Sequence, residues 1–249
     1  MVDFVNSGPI QAPSSGVSQG LYEESSTQQG DVGALRELAD GRRFRYCYFV
    51  SATAAGLLVS QDVSATAVVE TDNIVTAADA AATKVTITDS GTLGSATADQ
   101  YAGGYLHTTD DAGEGYTYRI RGNTAASSNA VDFTLYDGLV IAVTTATDVA
   151  ITGSLYGSVH GATAGTDYII SGVTNRVMQA SYYGWVQTTG VCTILADGGS
   201  ILIGCNLTLS DGVAGAVQLK DAETEPLVGQ ATFAPDNTGH VGVRLYGLE

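Results

Sequence analysis

The sequence predicts an all-β protein, with an extended N-terminal arm followed by two small antiparallel β-sandwich or barrel domains. Three observations carry this expectation. Short segments alternate apolar and polar residues with period two, the pattern of a strand with one buried face. Asp-Gly pairs at 40–41, 137–138, 197–198 and 211–212 offer the positive-φ residue that tight hairpin turns demand. Elsewhere Thr, Val, Ala and Gly dominate, which suits thin sheets packed through small side chains.

From the N-terminus, residues 1–40 read as the arm. The first thirty hold few large apolar side chains, Phe4, Ile10, Leu21 and Tyr22, and Pro9 and Pro13 interrupt any regular period. Such a segment cannot build its own core. Fully extended, it spans at most about 100 Å and could cross a neighbouring subunit. Ordering it costs about 1–2 kcal/mol per residue, so it orders only against a surface, with Leu21 and Tyr22 as its anchors.

A β-rich domain is expected over 41–158 and a C-terminal barrel or sandwich over 159–249. The first strand places Phe44, Tyr46, Tyr48 and Val50 on one face, with Arg43 and Arg45 on the other. Tyr116, Tyr118 and Ile120 against Arg119 and Arg121 repeat that logic, and Val131, Phe133 and Leu135 form a third set. Alternatively, the strand at 42–50 pairs with the C-terminal body and makes the middle an insertion. Two short helices are suggested, over 32–39 after Asp31 and over 77–82 behind Thr76. No repeat of fixed period stands out, which argues against a parallel β-helix or a propeller.

Charge narrows the function. The chain carries a formal −16, and from residue 46 onward 20 acidic residues face 6 Lys or Arg. Nucleic acid and anionic membrane are therefore not expected partners, because phosphate binding needs clustered cations. The local exception is Arg36, Arg42, Arg43 and Arg45, four of the ten basic residues. No apolar run is long enough to form a transmembrane helix, and the N-terminal residues lack a basic-then-apolar leader, so synthesis in a cytosol is expected.

Catalytic and metal chemistry find little purchase, and neither an enzyme nor a cofactor is expected. His107, His160 and His240 lie far apart, with no nucleophile elbow around any Ser. Cys47, Cys192 and Cys205 lack metal or disulfide spacing and read as free thiols. Asp110-Asp111-Ala112-Gly113-Glu114-Gly115 is the densest acidic loop; it does not match a calcium loop and reads as a solvated turn. Tyr182-Tyr183-Gly184-Trp185 gathers aromatics around the only Trp. That cluster suits a sugar platform or, preferably, a core strand beside a subunit interface.

The final third runs from Tyr182-Tyr183-Gly184-Trp185-Val186-Gln187 through Gly190-Val191-Cys192-Thr193-Ile194-Leu195 to Gly204-Cys205-Asn206-Leu207 and Gly212-Val213-Ala214-Gly215-Ala216-Val217. It resembles the small β-barrel of tailed-phage virion proteins, particularly head decoration or cement proteins. The Asp40–Tyr46 and Gly115–Asn123 segments resemble phage structural proteins as well. The resemblance implies a protein made in the host cytoplasm and added to the outer surface of a preassembled head, with the major capsid protein and its own copies, as homotrimer or homodimer, as partners. Tail, neck or head-fibre placement is the alternative, and a carbohydrate-binding adhesin a second. The contact residues expected on this reading are Leu21, Tyr22, Arg36, Arg42, Arg43, Arg45, Tyr182 and Trp185, with the arginines docking onto acidic protein.

Overall fold

The computed structural model describes residues 17–61, 69–71, 74–88, 92–166, 169–198, 201–234 and 239–248. Strands dominate them. In chain order these are β1 (Leu35–Glu37), β2 (Arg43–Phe49), β3 (Leu58–Gln61), β4 (Val69–Thr71), β5 (Ile74–Val75), β6 (Lys84–Thr88), β7 (Tyr105–Asp110), β8 (Thr117–Asn123) and β9 (Ala130–Leu135). There follow β10 (Asp148–Thr152), β11 (Val159–Gly161), β12 (Ile170–Thr174), β13 (Tyr182–Leu195), β14 (Asn206–Leu209), β15 (Val217–Leu219), β16 (Gly229–Phe233) and β17 (His240–Tyr246). The protein is all-β.

The chain divides into two compact units, one of residues 1–60 with 159–249 and one of 61–158. The division falls at 60/61 and at 158/159. Residues 41–60 belong with the C-terminal body, and the middle is an insertion. The reason is pairing: β2 lies antiparallel to β13, with Phe44 opposite Gln187 and Tyr46 opposite Trp185.

In the first unit, β2, β11, β3, β12 and β13 hydrogen-bond in that order, and β13 returns to β2, closing a five-stranded barrel. Closure removes the exposed edges that an open sheet would carry. Beyond Gln187, β13 leaves the barrel and pairs with β17, extending into a sheet ordered β13, β17, β16, β14, β15. One strand serves both because it bulges between Gln187 and Thr189 and then turns through Gly190, whose φ of +90° disfavours any residue with a side chain. Leu58, Val173, Ile194, Leu207, Val241 and Val243 fill the core there.

In the second unit the strand order is β4, β10, β7, β8, β9, β6, β5, antiparallel throughout. Its two end strands are separated by two residues of chain, and β5 also lies near β10, so the sheet curls back on itself. The expected alternation holds here: Tyr118 and Ile120 are buried while Arg119 and Arg121 are exposed, and Val131, Phe133 and Leu135 all point inward.

Three local expectations are corrected. Neither short helix forms: the 32–39 stretch contains β1, and the 77–82 stretch makes a bridge from Ala78 to Val143 followed by a turn. Two turns of isolated helix are too short to persist, and strand partners were at hand. The first strand also does not divide into an apolar and a charged face. Cys47 and Phe49 are buried beside Phe44 and Tyr46, Tyr48 is half-buried, and Arg43 and Arg45 are half-buried too, because β2 is covered on both sides. Finally, residues 1–16 of the expected arm lie outside the described residues, but from Val17 onward the segment is docked. Val17 and Gln19 are buried, and β1 pairs with β2 across a turn in which Gly41 has φ +82°.

Candidate functional site

The docked N-terminal segment from Val17 to Ala34, here the strap, and the arginine cluster meet at one place on the first unit. Gln19 is its hub. Its side-chain oxygen accepts the Tyr46 hydroxyl at 2.8 Å, and its amide donates to the carbonyls of Glu23 at 2.8 Å and Tyr183 at 2.9 Å. Its backbone carbonyl accepts the Trp185 indole Nε1 at 3.1 Å and the Arg36 Nη1 at 3.0 Å. A buried amide with its polar atoms satisfied in this way specifies one seating of the strap.

Arg36 closes the seat. Nη2 donates to the Val17 carbonyl at 3.0 Å, and the guanidinium carbon stands 4.5 Å from the centre of the Trp185 ring. Burial lowers the pKa of Arg36 from the ordinary arginine value, an effect opposed by the carboxylate of Glu23. Tyr46 lies 5.2 Å from Trp185, tilted by 60°, and stacks on Tyr183 at 6.0 Å. Burial also raises the pKa of Tyr46, favouring the neutral phenol that donates to Gln19.

The other expected contact residues are engaged within the chain as well. Arg42 pairs with Asp40 at 2.7 Å, Arg43 pairs with Glu37 at 3.3 Å, and Arg45 donates to the Gly33 carbonyl at 3.0 Å. The cluster therefore clasps its own hairpin and strap and does not form a free basic patch. The Leu21 carbonyl accepts from Asn175 and the Tyr22 carbonyl from Arg176, while Arg176 pairs with Glu24 at 3.0 Å. Of the eight nominated side chains, Tyr22 projects most clearly, at 63% exposure. Tyr182 is half-buried and Trp185 is 1% exposed.

A cleft of about 350 Å³ opens beside the clasp, lined by Tyr22, Arg42, Asn175, Gln187 and His240 among others. Three of its donors are already committed: Gln187 donates to the carbonyls of Thr189 and Val191, Asn175 to that of Leu21, and Arg42 to Asp40. Cys192 and His240 both line it, and no hydrogen bond joins them. Cys192 on its wall is pushed up to about 12 by burial, and Cys47 is raised well above the usual thiol range by the same cause. Thiolate is scarce in both at mildly alkaline pH. A thiol reagent added to folded protein is accordingly expected to modify Cys205 first, and Cys47 and Cys192 only on unfolding. Prompt loss of the Cys47 thiol from native protein would contradict this placement.

Each histidine has its own neighbours. His107 lies between Thr117 and Thr152 at 3.1 Å from each hydroxyl, His160 is 3.3 Å from Ser60 Oγ, and His240 packs against Gly56. Among the described residues no group of three or more His, Cys, Asp or Glu gathers to hold a metal ion. The acidic loop is the β7–β8 turn, with Asp111 at φ +58° and Gly113 at φ +88°.

Sequence reasoning did not nominate two features that now stand out. Gln19 gave no signal as a polar residue in a polar segment. Arg119 and Arg121 did give one, since alternation placed both outward. They make no ion pair among the described residues, and Arg119 lies 4.8 Å from the Tyr136 ring. Compared with known proteins, the chain matches no family model, no curated protein and no solved structure.

Proposed function

We propose that this chain is a non-enzymatic structural protein of a phage virion, attached to the outer surface of the head as a decoration protein and acting with other copies of itself. The observation that carries the reading is the clasp. A segment laced over a neighbour can bear load only if its root is held in a folded body. Here the root is held by Arg36, Gln19 and Trp185, so tension on residues 1–16 passes through Val17 into the β2–β13 pair. The acidic surface supports the reading too, because it keeps the protein off packaged and host nucleic acid.

The clasp also changes which residues are available to a partner. The Tyr22 side chain stays exposed, while Arg36 and Arg45 hold the strap and Arg42 and Arg43 pair with Asp40 and Glu37 of their own hairpin. A sugar platform built on Trp185 is disfavoured, since its ring is enclosed by Arg36, Tyr46 and the strap. Placement in a tail or neck stays distinguishable by copy number, with hundreds per particle expected for decoration and a few for a tail or neck.

The test is to mix purified protein with undecorated heads, measure bound stoichiometry, and repeat with residues 1–16 deleted. The deletion must stop there, because residues 17–35 contribute Val17, Gln19 and Ala34 to the core. Saturable binding by the full chain, lost on truncation while the circular dichroism spectrum is unchanged, is the expected result. A full-length protein that ignores heads removes the reading, and unchanged binding by the truncated chain removes the lacing role.

A further inference from the structure

We propose that the outward face of β8 is a self-association surface, on which Arg119, Arg121, Tyr105 and Tyr136 receive the acidic β7–β8 hairpin of a second copy of this chain. The proposal rests on the self-assembly part of the function above and names its contact.

The first argument is the charge inventory. Lys84 and Arg176 pair with Asp132 and Glu24, and the four arginines of the clasp are engaged as described. Within residues 61–158, twelve Asp or Glu face only Lys84, Arg119 and Arg121, a net −9. Among the described residues Arg119 and Arg121 have no carboxylate partner, on a body rich in carboxylates.

The second is their setting. Arg119 stands directly opposite Tyr105 on β7, and the nitrogen of Tyr136, just beyond β9, donates to the Arg119 carbonyl at 3.0 Å. The three side chains thus form a row across neighbouring strands, with Tyr105 42% and Tyr136 44% exposed. Tyrosine and arginine are enriched in binding hot spots, since they offer large contact area and, in arginine, a planar donor fork.

The third is the occupant. Carboxylates are what such a face binds, and Asp110, Asp111 and Glu114 are exposed at the hairpin tip and form no ion pair among the described residues. The hairpin is also held in shape: Thr147 Oγ1 donates to the Ala112 carbonyl at 3.1 Å, and Thr144 Oγ1 to Asp111 at 3.3 Å. A preorganised loop surrenders little freedom on docking. Because donor and acceptor patches lie on one hairpin, two copies can exchange the contact reciprocally about a two-fold axis.

The experiment measures mass in solution by light scattering over a concentration series. Wild-type protein is expected to self-associate, and Arg119→Glu with Arg121→Glu to give monomer. Asp110→Lys with Glu114→Lys is also expected to give monomer. An equimolar mixture of the two variants is expected to associate again, because each reversed patch then meets a complementary one; this recovery separates a lost contact from a lost fold. Tyr136→Ala alone is expected to raise the dissociation constant roughly 30-fold. A wild-type chain that is monomeric at every concentration overturns the proposal, as does a reversed-arginine variant of wild-type mass or a mixture that stays monomeric. A monomer that still saturates heads would leave the decoration reading standing and remove only this contact.

Discussion

Trp185→Ala is expected to lower the stability of the first unit by about 3–5 kcal/mol, the range for removing a large aromatic from a packed core. The ring is 1% exposed and packs among Val17, Ala34, Phe44 and Tyr46. Its loss would leave a cavity bordered by the strap, whose own grip depends on the indole bond to Gln19. Trp185→Phe keeps most of the apolar area and gives up that bond, so it should cost only about 1 kcal/mol from the hydrogen bond, plus a smaller packing loss. Urea denaturation followed by circular dichroism reads both changes. The second unit has a separate core, including Tyr101, Phe133 and Ile120, and should unfold as before. A Trp185→Ala protein of near wild-type stability would mean that the ring is not the floor of the clasp and would reopen its use as a ligand platform.

Arg36→Ala is expected to destabilise the same unit by about 2–3 kcal/mol. Hydrogen bonds to charged groups are worth roughly 1.5–3 kcal/mol each and a cation–π contact about 0.5–2; water that enters as the strap loosens recovers part of that. The effect should be local as well as global. Amide exchange at Ser25 and Tyr183, which hydrogen-bond each other reciprocally at 3.1 and 2.8 Å, should accelerate as the strap loosens. Arg36→Lys should rescue little, since a single ammonium cannot hold the Val17 and Gln19 carbonyls in the planar fork geometry and stack on Trp185. If Arg36→Ala left stability and exchange untouched but abolished binding to heads, Arg36 would be a docking residue, as the sequence first suggested.

That contrast marks what was legible. Strand faces in the second unit were readable from period-two alternation, because β8 and β9 each bury one side and the code is local. On β2 the same code failed after Tyr46. The strand is covered on both sides, and no window of neighbouring residues reports that second cover. The arginine cluster was partly decipherable: Asp40 and Glu37 lie on the same hairpin as Arg42 and Arg43, so the Asp40-Gly41 turn already brought them together. The partners of Arg36 were beyond reach, since Val17 and Gln19 come to it only when the strap doubles back over β13.

By itself, the sequence determined the all-β character, the acidic field and the outward placement of Arg119 and Arg121. Alternation, turn residues and charge act over a few positions, or simply add along the chain. Tertiary structure decided that β2 joins the C-terminal body, that residues 61–158 are inserted, and that Trp185 and Arg36 face inward. These outcomes depend on which distant strands close the barrel and on which polar groups are thereby withdrawn from water. A buried guanidinium or indole N–H must then find its acceptor wherever the closed fold supplies one, and here Gln19, 166 residues from Trp185, supplies it.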